Sequence, residues 1–137
     1  GLTKVLDGHC SLEEAIVTDW SEHVHVLPAG KLHRSPHYLL GRGACAALLK
    51  EARSMYRYIV VDTPPVLSAS EALVVAKDVD GVVVCAMRDR SRESHVHLAY
   101  ARLLAAGVQP LGAVLNAVDV RSYASTYGDY SYSTQTG

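Results

Sequence analysis

At 137 residues, 49% hydrophobic and 20% charged, the chain has the size and balance of one soluble globular domain, which excludes disorder throughout. A formal net charge of -1, with basic residues scattered apart from Arg88, Arg90 and Arg92, leaves no electrostatic argument for nucleic acid or an anionic membrane as partner. An apolar run such as Val82 to Met87, which none exceeds, is far below the ~20 residues that span a bilayer, and the odd, widely spaced Cys10, Cys45 and Cys85 point to free thiols in a reducing cytoplasm.

Ser11-Leu12-Glu13-Glu14 reads as a capping box that opens a helix through about Val17, because a serine hydroxyl and a glutamate three residues later satisfy reciprocal backbone donors. His23 to Leu27 alternates polar and apolar residues before Pro28-Ala29-Gly30, the pattern of a strand entering a loop. Ser35 as N-cap and Pro36 in the first turn begin a helix that runs to about Met55, weakened by Gly41 and Gly43 by roughly 1 kcal/mol each relative to Ala. Tyr58-Ile59-Val60-Val61-Asp62 is apolar without alternation, as in a strand buried on both faces of a parallel sheet, and Thr63-Pro64-Pro65 forces a sharp exit because proline cannot donate to a ladder. Ser70 caps a short helix to about Lys77. Gly81 to Met87 reads as a second buried strand, Glu93 to Ala106 as a helix stopped by Gly107, and Pro110 to Leu115 as a further strand. Helix and strand thus alternate along the chain, which predicts an α/β fold of three αβα layers around a mostly parallel sheet.

After Val120 the composition changes: residues 122 to 137 contain four Tyr, four Ser and three Thr, with no Leu, Ile or Val. Such a segment buries too little apolar surface to offset its ordering entropy, so 121–137 is expected to be a flexible tail. Its sixteen residues from 122 onward would extend roughly 50 Å at ~3.3 to 3.6 Å each.

Ligands bind outside the carboxyl ends of parallel strands, and Asp62 stands at such an end. It reads either as a turn-forming residue or as a carboxylate that orders the water shell of Mg²⁺. No G-x-x-x-x-G-K-S/T phosphate loop occurs between Gly1 and Gly137. His23-x-His25 shares a strand face, but no Cys or carboxylate at metal spacing accompanies it, so a structural zinc site is not expected.

Gly1 to Gly8, Ser11 to Ile16, Val26 to Gly30, Tyr58 to Leu67 and Gly112 to Asp119 resemble, in that order, the carboxyl-terminal part of the bacterial tyrosine kinases (BY-kinases) that regulate capsule and exopolysaccharide synthesis. The resemblance makes 1–120 a partial P-loop kinase domain of the deviant P-loop ATPase group, lacking the Walker A and A′ strands that the family carries upstream. It implies ATP and Mg²⁺ as cofactors in the complete domain. Asp62 becomes the Walker B aspartate, catalytic and reaching the metal through water. Asn116 takes the place where related ATPases read adenine with an amide, although a turn Asn after a strand explains the residue as well. Arg88 would approach nucleotide or a neighbouring subunit, against the default of a solvated loop arginine. Tyr123, Tyr127, Tyr130 and Tyr132 become phosphoryl acceptors used in trans, or else belong to a low-complexity tail.

The resemblance further implies a homo-oligomeric parent, a membrane activator or chain-length-determinant domain, a tyrosine phosphatase, no nucleic acid, and a cytoplasmic place at the inner face of the plasma membrane. His33-Arg34-Ser35-Pro36-His37-Tyr38 departs from the family's proline-rich, asparagine-containing turn, and the arginine motif used for ring assembly lies upstream in the family. The start at Gly rather than Met suggests a processed, cloned or truncated beginning. Two other readings stand beside the kinase: a partition-type (ParA-like) ATPase, which needs no tyrosine cluster, and a non-catalytic phosphoacceptor or interaction module. In this group the P-loop strand lies between the strands corresponding to Tyr58 to Asp62 and Gly81 to Met87. Its absence predicts open edges and marginal stability for the chain alone.

Overall fold

In the computed structural model, which describes residues 1–41 and 43–119, six helices and two strands follow one another. The amino-terminal half is helical: α1 (Leu2–Leu6), α2 (Leu12–Ala15), α3 (Pro36–Leu40) and α4 (Ala44–Met55). The second half alternates α5 (Glu71–Ala76), β1 (Val83–Met87), α6 (Glu93–Ala105) and β2 (Gly112–Asn116).

Helix starts follow local chemistry. The Ser11 side chain accepts from the Glu14 N–H at 3.2 Å while the Ser11 N–H donates to Glu14 Oε2 at 2.9 Å, completing the expected capping box. The helix lasts only to Ala15 instead of Val17, because Val17 leaves it to pair antiparallel with Val26, N–H to carbonyl at 2.8 and 2.9 Å. The expected strand at His23 to Leu27 is reduced to that bridge. Ser35 Oγ accepts from the Tyr38 N–H at 3.3 Å and Pro36 takes the first helical position, as read from the sequence. One helix was expected from there to Met55; the chain instead breaks between Leu40 and Ala44, where Gly43 adopts φ +78. Beyond the break, α4 buries Cys45, Leu49 and Ala52, the i, i+4, i+7 face of an amphipathic helix.

The strands β1 and β2 pair in parallel, with Val83 opposite Gly112 and Met87 opposite Asn116. α6 is the crossover between them. It ends in a Schellman motif: the Gly107 N–H reaches Leu104 O and the Val108 N–H reaches Leu103 O, both at 2.9 Å, with Gly107 at φ +80. The apolar contact that accompanies this motif joins Leu103 to Val108, and with Ala76 these two form the core cluster, against which Val66, Leu73, Val82 and Val84 pack. Two arginines tie loops to this body. Arg102 Nη1 donates to the carbonyls of Val66 (3.1 Å) and Leu67 (3.0 Å), and Arg53 Nη2 to Asp78 O (3.1 Å) and Asp80 Oδ1 (3.0 Å).

The fold is therefore α/β with a small parallel sheet, and two further sequence expectations change. Tyr58 to Asp62 forms no helix and belongs to no ladder among the described residues, and Val60 is 96% exposed; without a neighbouring strand its backbone has nothing to pair with. β1 is not buried on both faces either. Val84 faces the core cluster, whereas Val83 is 50% exposed, Met87 47%, and every residue of β2 is exposed. Among the described residues the helices cover one face of β1 and leave β2 exposed.

Candidate functional site

The parallel register brings two of the sequence-predicted site residues together at the carboxyl end of the sheet. Met87 and Asn116 are paired, and the Arg88 N–H donates to Asn116 O at 3.0 Å, so the ladder runs one residue past the end of β1. Each strand then turns through a left-handed residue, Asp89 at φ +60 and Ala117 at φ +59. Aspartate tolerates that region better than alanine does, and side-chain-bearing residues held there concentrate at ligand-contacting turns. Sequence reasoning missed both residues, since nothing about Asp89 or Ala117 alone signals positive φ.

The turn after β1 is closed by Ser91. Its hydroxyl accepts from the Met87 N–H at 2.9 Å, and its own N–H donates to Met87 O at 2.8 Å. Arg88 is thereby presented with Nε 3.5 Å from Asp89 Oδ2, both side chains largely in solvent, an ion pair worth little by itself. The Asn116 amide is exposed and makes no hydrogen bond among the described residues. It is therefore available to donate to and accept from one ligand edge.

Asp62 is also exposed, and the structure links it by no bond to Arg88 or Asn116 among the described residues. Its exit is rigid as expected: after Thr63-Pro64-Pro65 the N–H groups of Ser68 and Ala69 return to Pro65 O at 2.8 and 3.0 Å, and Arg102 holds the next carbonyls. A solvated carboxylate suits Mg²⁺, which keeps most of its water shell and takes one or two carboxylates besides phosphate oxygens. Among the described residues no group of three His, Cys, Asp or Glu is placed to hold a metal ion outright. Tyr123, Tyr127, Tyr130 and Tyr132 lie outside the described residues.

Other reactive side chains have structural explanations. His25 Nδ1 bonds the Tyr56 hydroxyl at 2.9 Å with the rings edge-on, fastening the segment before Val26 to the end of α4. His37 Nε2 lies 2.9 Å from Ser70 Oγ and 3.7 Å from Glu71 Oε1. Both partners meet the same nitrogen, so this is no relay in which a carboxylate orients one nitrogen while the other takes the serine proton. The Cys45 thiol is pushed up to about 11 by burial and then by its hydrogen bond and proximity to Asp78, which leaves it a poor nucleophile.

Over 130 residues the chain is 30% identical to the tyrosine-protein kinase CpsD of Streptococcus agalactiae, covering 95% of this chain and 56% of that protein. It is 36% identical over 132 residues to the tyrosine-protein kinase etk of Escherichia coli (strain K12), covering 96% of this chain and 18% of that protein. Among solved structures, the kinase domain of Escherichia coli tyrosine kinase ETK superposes with a TM-score of 0.82 at 35% identity, over 96% of this chain and 51% of that one. No family model matches the chain. The chain thus spans about half the length of the streptococcal kinase and of the solved kinase domain. By sequence and by fold alike, the chain is similar to the bacterial tyrosine kinases, consistent with the carboxyl-terminal part of such a kinase.

Proposed function

We propose that this chain provides part of the nucleotide site and the phosphoacceptor tail of an ATP-dependent protein-tyrosine autokinase that regulates capsule or exopolysaccharide synthesis and export. The observation that carries this reading is the junction of Arg88 with Asn116 at the carboxyl ends of two parallel strands, in a chain that aligns over 95% of its length with a tyrosine-protein kinase. ATP with Mg²⁺ supplies the transferable phosphoryl group. Asp62 orders the metal's water shell, Asn116 reads the purine edge, and Arg88 offers positive charge beside them. Nothing in the sequence supplies the lysine and backbone N–H nest of a phosphate loop, so phosphoryl transfer needs further residues from a longer parent.

In the parent the three-layer αβα arrangement would be completed by a strand between Tyr58 to Asp62 and β1. The unladdered 58–62 segment and the bare sheet face support that reading. The tail tyrosines Tyr123, Tyr127, Tyr130 and Tyr132 accept phosphate in trans between subunits of a homo-oligomer. Each phosphotyrosine adds roughly -1.5 to -2 charge, so four make tail packing repulsive and favour disassembly. A membrane activator or chain-length-determinant domain would hold the oligomer at the inner face of the plasma membrane, and a tyrosine phosphatase would reset it. No helix in the described residues is long and apolar enough to cross a membrane.

The test is mass spectrometry of the complete kinase after incubation with MgATP. Phosphate on the four tail tyrosines is expected, and its absence from all four would sink the reading. A second reading, that the chain serves as a non-catalytic phosphoacceptor or interaction module, is favoured by the missing phosphate loop. It predicts phosphorylation only when a separate active kinase is added. A partition-type ATPase leaves the tyrosine cluster unexplained.

A further inference from the structure

A recess of about 250 Å³ lies between α1 and the segment leading into α3, lined by Lys4, Asp7, His9, His33, Arg34 and the buried Leu39. Its two walls are fastened together. The N–H groups of Leu2 and Thr3 donate to the carbonyls of Pro28 (2.8 Å) and Ala29 (3.0 Å), and Thr3 Oγ1 donates to Lys31 O at 2.9 Å. Arg34 is held in two ways: its guanidinium carbon sits 4.9 Å from the centroid of the Tyr38 ring, and its Nε is 3.2 Å from Asp7 Oδ1.

The chemistry of this recess is that of a small amphiphilic anion. Lys4 and Arg34 outnumber Asp7, whose carboxylate is already shared between Arg34 Nε and His9 Nδ1 at 3.5 Å. The Asp7 pair engages Nε alone, and the terminal nitrogens of Arg34 make no hydrogen bond among the described residues. They are left to bind an oxyanion in the forked geometry that guanidinium favours. Two imidazoles add donors, and Leu39 contributes apolar lining. Somewhat below the roughly 300 to 1,000 Å³ typical of ligand pockets, the recess suits one side chain better than a whole nucleotide.

We propose that this recess binds the phosphotyrosine side chain, or another aryl phosphate monoester, with Arg34 and Lys4 on the phosphate and Leu39 against the ring. Basic clusters beside an apolar wall are a recurrent way to read phosphorylated residues. The chain itself carries a source of the ligand in Tyr123, Tyr127, Tyr130 and Tyr132. Nothing in the proposal requires this chain to transfer phosphate, so it stands or falls separately from the kinase reading.

The experiment is an NMR titration of the full ¹⁵N-labelled chain with N-acetyl-phosphotyrosine amide. Saturable shifts at the amides of Lys4 and Arg34 are expected, with binding weakened about tenfold or more in Arg34→Gln and in Lys4→Gln. The exposed Lys50→Gln on α4 should bind as the parent does. Lys4→Gln keeps the test decisive if Arg34→Gln unfolds, since Lys4 is exposed and its side chain has no partner among the described residues. A phosphorylated peptide of residues 121–137 that shifts the same amides identifies the tail as ligand; shifts from the free amino-acid analogue alone retain the site for another phosphoprotein. Equal affinity for inorganic phosphate or for the unphosphorylated tyrosine analogue, or no saturation at all, overturns the proposal.

Discussion

The Arg88 N–H donates to the carbonyl of Asn116 at 3.0 Å, so the loops leaving β1 and β2 depart from one shared hydrogen bond. That bond uses only the backbone of Asn116. The site's side chains are therefore free to vary without loosening the ladder, and changes there should separate ligand binding from stability.

Asn116→Ala in the complete kinase should weaken nucleotide binding by about 1 to 2 kcal/mol, roughly 5- to 30-fold, for the loss of a paired amide. The melting temperature should stay within a degree or two of the parent. Fluorescent-nucleotide titration beside calorimetry checks both halves, and an unchanged affinity would remove Asn116 from the site.

Asp62→Asn should lower autophosphorylation of the complete kinase by roughly 10²-fold or more, because a carboxylate that organises Mg²⁺ acts on developing phosphoryl charge. Its exposure and its lack of partners among the described residues mean that stability should hardly move. Radiolabel transfer from ATP measures the rate. A variant with near-parent activity would return Asp62 to the role of a turn residue.

Gly107→Ala should destabilise the chain by about 1 to 2 kcal/mol, because alanine at φ +80 meets the left-handed penalty at the Schellman turn. Ala117→Gly relieves the same penalty at φ +59 but raises unfolded-state entropy by about 0.4 to 1 kcal/mol, so it should be neutral to mildly stabilising. Urea unfolding of the two variants side by side gives the contrast.

Leu103→Ala removes a side chain that is 3% exposed and central to the core cluster. The expected cost is about 2 to 5 kcal/mol. With one sheet face bare, that should abolish a cooperative unfolding transition. Survival of a sharp transition at an unchanged midpoint would mean that the core lies elsewhere.

Cys45 should resist alkylation at pH 8 while the exposed Cys85 reacts, since its thiol is raised from 9.0 to about 11 and thiolate is the reactive form. The sign for stability follows from the same shift. The buried thiol's contribution is complete below pH 9, where both states are protonated, and is lost as the pH rises towards 11 and the unfolded chain alone releases its proton. Timed iodoacetamide labelling with mass spectrometry, and unfolding curves at pH 8 and 10, check the two expectations.

What the sequence made legible was chemistry that closes within a few residues. The Ser11 to Glu14 box and the Ser35-Pro36 start are complete in four residues, and both formed. The parallel pairing of the last two strands was also readable, because two apolar runs flank one helix and a right-handed crossover leaves little choice. Tyr58 to Asp62 failed for the opposite reason: strand propensity is only a capacity, and the partner that would satisfy its backbone is missing from the described residues. At the candidate site, the family resemblance pointed to Arg88 and Asn116, whose residue types alone suit a solvated loop arginine and a turn Asn as well, but the hydrogen bond joining them and the left-handed residues beyond them come from register and turn geometry, which no local pattern encodes.

The Arg102 clasp on Val66 and Leu67 bears on how the two site loops respond to force. α6 begins just after the Arg88 to Arg92 turn and, near its other end, grips the loop that follows Asp62. Its thirteen residues make a strut about 20 Å long between them. A load applied to the exposed flank of this helix is therefore shared by both loops, and the Asp62 side cannot be displaced far without tugging on the Arg88 side.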